Sequence, residues 1–481
     1  MDLQWHDGDS EARFSAYMNH LSDCLGHADR VGPFRSYCTG LLLPGDRKSV
    51  EPMAARLRPD RTSAEHQSLL HFVGQSEWDE KVLLGAVREA VLPMMTRRHP
   101  VEAWIVDDTG FPKKGRHSVG VGRQYCGQLG KQDNCQVAVS LSVATCEASL
   151  PVAWQLYLPA AWAEDLERRK KAKVPDEIGF LTKPEISLGQ IRSMLSDGIA
   201  PGVVLADAGY GNSAAFRDGL ADLGLAFVVG VMGNATVWPP GMTPTVPAGT
   251  GHGRMPKRLR RGGDEAPTEQ VQALVGRLPA EAWQTVNWRQ GVAEPLTSRF
   301  AALRVRPAQG DHRRSVPRPE QWLLAEWPQD EAEPTKFWFS TLPADTPIER
   351  LVYMAKLRWL IERDYLELKQ ELGLGHYEGR GWPGFHHHGA LCIAAYGFLV
   401  AERATIPPSA AKTIRLVKAP VLPDSHRPRG SANSNRAACA PFNSNPAKTD
   451  RTSSGQKPTT MPMLYPHQPT TIREEKPFMT Q

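Results

Sequence analysis

The segment at 346–374 constrains the fold most strongly, because its apolar and its charged residues both repeat at helical spacing. Thr346 and Glu349 have the spacing of a capping box, and Gly373 is a natural stop, so the sequence predicts one long helix. Apolar residues at helical spacing predict its buried face, namely Leu351, Ala355, Ile361, Tyr365, Leu368 and Leu372.

A second face of this helix carries Arg358, Glu362 and Lys369, so that one carboxylate lies between two cations. Such a face is commonly a solvated surface with a weak ion pair four residues apart. Alternatively, Glu362 contributes a carboxylate to a functional site. The choice between these two interpretations depends on the rest of the chain.

Length and composition describe a multidomain globular protein. The 481 residues exceed one ordinary core, so we expect two or three domains. The longest apolar runs, at 203–206 and 226–232, are far shorter than the roughly 18–20 residues of a membrane span. The N-terminus has no secretory pattern, and seven scattered cysteines fit neither a zinc knuckle nor a disulfide framework. We therefore expect a cytoplasmic protein, whose net charge of +5 is compatible with binding nucleic acid.

The first half of the chain divides into two predicted domains. Residues 1–95 predict a helical domain, which would either bind DNA or pack as a cap. Residues 96–232 predict the first part of an α/β core, in which three strands form an antiparallel meander before shorter strands alternate with helices. This order is that of a ribonuclease-H-like mixed sheet flanked by helices.

The second half predicts three further regions. Residues 233–345 predict a β-rich insertion, residues 346–402 the last part of the core with the Glu362 helix, and residues 403–481 a disordered tail with few large apolar residues. The consecutive histidines at 386–388 favour a loop or helix cap over a metal site, because adjacent residues of a regular element cannot all face one ion.

Two aspartates complete a candidate site with Glu362. Asp107 and Asp207 each lie where a short apolar strand ends, a position from which side chains can converge without deep burial. Each alone is more often a turn residue. Together, three carboxylates with open positions form the oxygen-ligand set that Mg²⁺ prefers. Two such ions, about 3.5–4 Å apart, can activate a nucleophile and stabilise the leaving oxygen at a phosphodiester.

Cations surround these carboxylates in the sequence. Arg358 and Lys369 are candidates for holding DNA phosphates, Arg in bidentate fashion and Lys as a point charge. A glycine-rich stretch after Asp107 carries further cations and would let the backbone approach a phosphate. These cations are Lys113, Lys114, Arg116, Arg123 and Lys131.

The pattern Arg358-x3-Glu362-x6-Lys369, together with VDDTGFPKKG at 106–115 and ADAGYGN at 206–212, resembles bacterial insertion-sequence transposases of the DDE type, in the cut-and-paste branch with an R-x3-E-x6-K signature. The resemblance implies a ribonuclease-H-like core, a two-metal site with Mg²⁺ or substituting Mn²⁺, and Asp107, Asp207 and Glu362 as catalytic ligands. It also implies DNA cleavage at element ends, strand transfer into target DNA and a homodimer on paired ends.

The sequence departs from this pattern at two places, and one choice stays open. The family's first acid precedes a variable residue and then Thr, which favours Asp107 over Asp108 as the ligand. A Tyr often found three residues before the Arg is replaced by Ala355, with Tyr353 out of step. The tail composition suggests an alternative, a catalytically inactive relic that binds DNA ends, and a third hypothesis is a nuclease that cuts but does not join strands.

Overall fold

The computed structural model of the protein describes residues 9–247, 255, 257–259, 268–290 and 295–405. Of the tail predicted to be disordered, residues 406–481 lie outside the described residues. The chain begins with helices that precede the first strand, at α1 (Ser10–Ser22), α2 (Val31–Leu42), α3 (Val50–Leu57), α4 (Thr62–Gly74) and α5 (Glu80–Thr96).

A run of strands comes next and is followed by helices that alternate with shorter strands, although the run has four strands where the sequence predicts three. Four strands come first, at β1 (Ala103–Pro112), β2 (Gly122–Cys126), β3 (Lys131–Ala144) and β4 (Ser149–Leu156). Three helices and a strand follow, at α6 (Ala160–Ala163), α7 (Leu166–Lys171), α8 (Lys183–Ser196) and β5 (Val203–Ala206). Two helices then lead to the next strand, at α9 (Ala208–Gly211), α10 (Ala214–Asp222) and β6 (Phe227–Val231).

The remaining described elements are mostly strands, followed by three helices. The strands and one short helix are β7 (Thr236–Trp238), β8 (Glu269–Gln270), α11 (Val271–Gly276), β9 (Gln284–Gln290), β10 (Pro295–Pro307), β11 (Gln321–Trp327) and β12 (Lys336–Ser340). The last helices are α12 (Ile348–Lys356), α13 (Trp359–Gln370) and α14 (Trp382–Thr405).

The described strands form one mixed sheet of twelve strands, which confirms the predicted mixed α/β class. Its order is β2-β3-β1-β5-β6-β12-β11-β10-β7-β8, with β4 on β3 and β9 on β10. Strand β1 is antiparallel to β3 and parallel to β5, and β5 is parallel to β6. Strand β12 pairs antiparallel with β6, so the strands predicted as an insertion continue the central sheet.

The prediction of one long helix at 346–374 is wrong, because α12 and α13 are separate helices with Leu357 and Arg358 between them. Lys356 binds Glu326 of β11 through its amino group at 2.6 Å, whereas Arg358 binds Asp107 of β1 at 2.7 Å. These contacts draw neighbouring residues toward different strands, which local helix propensity does not reveal. The predicted buried face is confirmed, since all six of its apolar side chains are buried.

Helix α14 lies at the centre of the packing between the N-terminal helices and β4, against α2, α4, α5 and β4. The prediction of a loop or cap at 386–388 is wrong, because these histidines lie inside α14 and are buried. His387 reaches the carbonyl oxygens of Val73 and Trp78 at 3.0 and 2.9 Å, and His386 accepts a hydrogen bond from the Leu156 amide at 3.1 Å. These buried partners provide the histidine rings with the hydrogen bonds that water would otherwise make.

Among the described helices, none has the length and apolar character to cross a membrane.

Asp364 fixes α13, the helix of the candidate site, to its neighbours. Its buried carboxylate accepts hydrogen bonds from Ser149 Oγ of β4 at 2.6 Å and from Tyr396 Oη of α14 at 2.8 Å. Buried polar groups are costly when they lose their partners. One carboxylate therefore holds three elements together.

Replacing Asp364 with Ala should lower the free energy of unfolding by roughly 3 kcal/mol, because two buried hydroxyl groups lose their acceptor and a cavity forms. Asp364→Asn, which keeps one acceptor oxygen and the volume, should lose less. Urea unfolding followed by circular dichroism measures both variants. An Asp364→Ala protein as stable as the wild type would contradict this role.

Candidate active site

Strand β1 brings Asp107 to the side of the sheet that α13 covers. Asp107 is paired in register with Ser140 of β3, whose hydroxyl is hydrogen-bonded to Tyr365 of α13 at 2.7 Å. Successive side chains of a strand point to opposite faces, so Asp108 is directed to the other side. The Asp107 side chain is only 13% exposed, and Asp107 is therefore a largely buried carboxylate beside α13.

Asp207 follows β5 directly and lies beside the middle of β1, near Asp107. The prediction that Asp107 ends its strand is wrong, because β1 continues to Pro112. The two strands are parallel, with Ala103–Ile105 beside Val203–Leu205, so that their carboxyl ends point the same way. Asp207 caps α9 by accepting a hydrogen bond from the Gly209 amide at 2.9 Å. Such a cap fixes the aspartate at the start of a turn.

Arg358, which lies immediately before α13, and Glu362 of α13 approach these two aspartates. Arg358 donates from Nη1 to Asp107 Oδ2 at 2.7 Å, and its Nη2 lies 3.4 Å from Glu362 Oε1. The Glu362 side chain is 65% exposed, whereas that of Arg358 is 25% exposed. The guanidinium thus bridges a buried carboxylate and an open one.

Burial and the neighbouring aspartates disfavour the charged form of Asp107. Burial, together with the charges of Asp207 and Asp108, raises the pKa of Asp107 to about 7 against the opposing effect of Arg358. Burial alone would lower the pKa of Arg358, but Asp107, Asp207 and Glu362 together leave it raised. Arg358 is therefore the counter-charge shared by all three carboxylates.

The donor set has the chemistry of a site for hard divalent cations, because it consists of carboxylate oxygens that repel one another and require positive charge. Across the described ranges, no three or more His, Cys, Asp or Glu side chains are already arranged to hold a metal ion. In this structure the Arg358 guanidinium supplies the positive charge between Asp107 and Glu362.

The other cations predicted to bind DNA occupy different environments. Lys369 donates from Nζ to the Gly110 carbonyl at 3.0 Å and to Gln128 Oε1 at 3.3 Å. Lys113 donates to the Tyr377 carbonyl at 2.8 Å, and burial lowers the pKa of both lysines. Lys114 is exposed. The structure thus brings Arg358 and the three carboxylates together, while the lysines line the adjacent surface.

Sequence analysis missed Lys183 and Tyr210. Both donate to Asp108 Oδ2, Lys183 Nζ at 3.0 Å and Tyr210 Oη at 3.3 Å. Thr182 and Glu185 form a capping box that places Lys183 at the start of α8, a signal that fixes the helix start without revealing the partner. Tyr353, which is out of step with the Tyr of the family pattern, donates to Glu102 Oε1 at 3.3 Å.

Comparisons with known proteins identify the family of the chain. Residues 20–295 match a family model described as a DDE superfamily endonuclease. Because the match covers more than half of the chain, the protein belongs to the DDE endonuclease superfamily. The matched residues include Asp107 and Asp207 and end before Arg358 and Glu362.

The chain is also similar to a probable transposase for insertion sequence element IS701 from Microchaete diplosiphon, with 34% identity over 169 residues. The aligned residues make up 35% of this chain and 41% of the relative. The similarity therefore spans less than half of the relative's length.

Asp107→Asn should change how stability depends on pH. The folded pKa of about 7 exceeds the usual value of about 3.9, so between about pH 4 and pH 7 the folded protein binds a proton at Asp107 that the unfolded chain does not. The stability that this extra proton gives the folded protein is fully present below about pH 4 and is lost as the pH rises through 7. Between pH 5 and 8, the wild type should therefore lose on the order of 2 kcal/mol more unfolding free energy than Asp107→Asn.

Urea unfolding in EDTA at pH 5 and pH 8 measures this difference. Asp222→Asn, which removes an exposed carboxylate at the end of α10, is the control. Identical pH dependence in Asp107→Asn and the wild type would contradict the electrostatic description of the site.

Proposed function

We propose that this protein is a DNA transposase, which cleaves DNA at insertion-sequence ends and joins the freed ends to target DNA. The observation that carries the proposal is the convergence of Asp107, Asp207 and Glu362 around Arg358, next to the point where the parallel pairing of β1 with β5 ends. Glu362, the most exposed of the three, faces solvent where DNA would approach.

The order of the central strands supports a ribonuclease-H-like core. In the series β4-β3-β1-β5-β6, the first three strands are antiparallel and the last three are parallel. In this proposal residues 96–232 and 346–402 form that core, and residues 233–345 are a β-rich insertion whose β12 continues the core sheet. Residues 1–95 would form an N-terminal helical domain.

Asp107, Asp207 and Glu362 would hold two Mg²⁺ ions, for which Mn²⁺ can substitute, because these residues offer carboxylate oxygens that need positive charge. When bound, the ions supply polarisation of the phosphodiester and neutralise charge on the attacking and leaving oxygens. The raised pKa of Asp107 supports this assignment, since burial and like charges make its carboxylate respond to an added cation.

The cations of the chain would hold and orient the DNA. Arg358 presents a planar fork that suits a phosphate, and its Asp107 contact already directs the fork toward the carboxylates. Lys369 lies seven residues beyond Glu362, about 10 Å along the helix axis, and would hold a phosphate beside the scissile one. Lys113 and Lys114 follow β1 and would bind phosphates on the adjacent surface. Two DNA ends brought together require two copies, so we propose a homodimer on DNA, in the cytoplasm.

Asp107→Asn, Asp207→Asn and Glu362→Gln should each abolish cleavage of a supercoiled plasmid that carries the element's two ends, while DNA binding is retained. The wild type should cut at the element boundaries with Mg²⁺ or Mn²⁺ and not with EDTA. Glu371→Gln, which removes an exposed carboxylate immediately after α13, is the matched control and should cut normally.

The products distinguish the three hypotheses. Breaks followed by joining to target DNA support a transposase, whereas breaks without joining indicate a nuclease. Binding to the ends with no break indicates an inactive relic. Cleavage retained by Glu362→Gln would show that Glu362 is not part of the site.

Lys369→Ala should weaken DNA binding uniformly across sequences and reduce the slope of log affinity against log salt concentration by about 1, because one phosphate contact is lost. Lys369→Arg keeps the charge and should keep the slope. Fluorescence anisotropy with an end duplex at several salt concentrations measures both. Equal slopes for Lys369→Ala and the wild type would exclude a phosphate contact.

A further inference from the structure

Asp108, the neighbour of Asp107, has a set of contacts of its own. Its Oδ2 atom accepts hydrogen bonds from Lys183 Nζ at 3.0 Å and from Tyr210 Oη at 3.3 Å. Two donors, one of them a cation, therefore use the same oxygen. Lys183 begins α8, so this contact joins β1 to α8 on the face of the sheet opposite α13.

Tyr210 belongs to the same short turn as Asp207. The turn starts at Asp207, whose carboxylate accepts from the Gly209 amide at 2.9 Å and whose carbonyl accepts from the Gly211 amide at 2.8 Å. The Tyr210 side chain is 1% exposed, so its position is fixed by packing. A displacement of Tyr210 would consequently displace Asp207 as well.

Two contacts fix the other end of this turn. Gly211 packs so closely on β6 that a Cβ atom there would overlap the Gly230 carbonyl oxygen. The Arg217 guanidinium, buried beneath the turn, donates to the Gly211 carbonyl. These contacts secure the turn to β6 and α10. The hydrogen bond from Tyr210 to Asp108 secures it to β1, the strand that carries Asp107.

We propose that Asp108 and Tyr210 are positioning residues, whose hydrogen bond sets the separation between the carboxylates of Asp107 and Asp207. Lys183 neutralises Asp108, so that this fourth acid adds less repulsion to the site and does not act as a ligand. This inference rests on the proposed function, since it assigns roles relative to the same carboxylate site. It also explains why two adjacent aspartates occur where a single ligand is needed.

The two adjacent aspartates have different hydrogen-bond partners. Asp107 Oδ2 faces Arg358, the counter-charge shared with Asp207 and Glu362, whereas Asp108 Oδ2 faces Lys183 and Tyr210. The two hydrogen bonds to Asp108 Oδ2 hold its carboxylate toward Lys183 and Tyr210 and away from Arg358. Asp107 is thus placed to be a ligand, and Asp108 is placed to align its neighbours.

Tyr210→Phe tests this role because it removes only the hydroxyl group. We expect kcat for cleavage of the end duplex to fall about 10-fold with KM for DNA nearly unchanged, since a small misplacement of a reacting group slows the reaction without weakening binding. The Kd of the DNA-free chain for Mn²⁺, measured by electron paramagnetic resonance, should rise several-fold. Asp108→Asn should behave similarly, and the double variant should be no worse than the worse single one.

A matched control is available at the opposite end of β1. Tyr353 Oη donates to Glu102 Oε1 at 3.3 Å, a hydrogen bond to a carboxylate of the same length. Tyr353→Phe should leave kcat and Mn²⁺ affinity unchanged. Lys183→Met leaves Asp108 without its counter-charge and should lower kcat, and Lys183→Arg should restore it. Mn²⁺ affinity should not fall in Lys183→Met, because a positive charge near the carboxylates has been removed.

Three outcomes would overturn the inference. The first is that Tyr210→Phe and Asp108→Asn have the same kcat and Mn²⁺ affinity as Tyr353→Phe. The second is that the losses of the two single variants add in the double variant. The third is that Asp108→Asn abolishes Mn²⁺ binding while Asp107→Asn retains it. A wild-type protein that binds DNA but never cleaves it would reject the proposed function instead. In that case the Mn²⁺ affinities alone still decide whether Asp108 aligns the site.

Discussion

Repulsion among the carboxylates beside β1 and β5 is the constraint on which the surrounding contacts depend. Asp107 is buried, and Asp207 and Asp108 add to the electrostatic cost of its charge, which raises its pKa to about 7. Arg358 offsets this repulsion from one face of the sheet. Lys183 offsets it from the other face, through Asp108. Such a concentration of like charge destabilises a fold, and functional sites commonly retain it.

The position of Arg358 depends in turn on the strands between β6 and α12. Lys356 binds Glu326 of β11 on one side of the break between α12 and α13. On the other side, the Arg289 guanidinium of β9 stacks 3.8 Å above the Trp359 ring. These contacts hold the start of α13, where Arg358 and Glu362 lie. The β-rich region therefore supports the site as well as extending the sheet.

Sequence reasoning reached the mixed α/β class because apolar strands at 103–106 and 203–206 are short, clear signals. It did not predict β2, whose glycine-rich sequence reads as a loop, or the break near Leu357, where contacts with different strands override helix propensity. The histidines at 386–388 read as a loop because their carbonyl partners, such as Val73 and Trp78, are distant in sequence.

The same limit applies to the candidate site. Asp107, Asp207 and Glu362 could be proposed from short apolar strands and helical spacing. Their arrangement around Arg358 depends on the parallel pairing of β1 and β5 and on the contacts of Arg358 with Asp107 and Glu362. The role of Asp108 was not visible, because Lys183 and Tyr210 lie 75 and 102 residues away from it. Long-range hydrogen bonds of this kind carry no local signature.

The most direct measurement is anomalous scattering from crystals of the protein with an end duplex and Mn²⁺. The proposed site predicts Mn²⁺ density in contact with the carboxylates of Asp107, Asp207 and Glu362, with the Arg358 side chain turned toward a DNA phosphate. Density at Asp108, or density remote from all three carboxylates, would contradict the assignment.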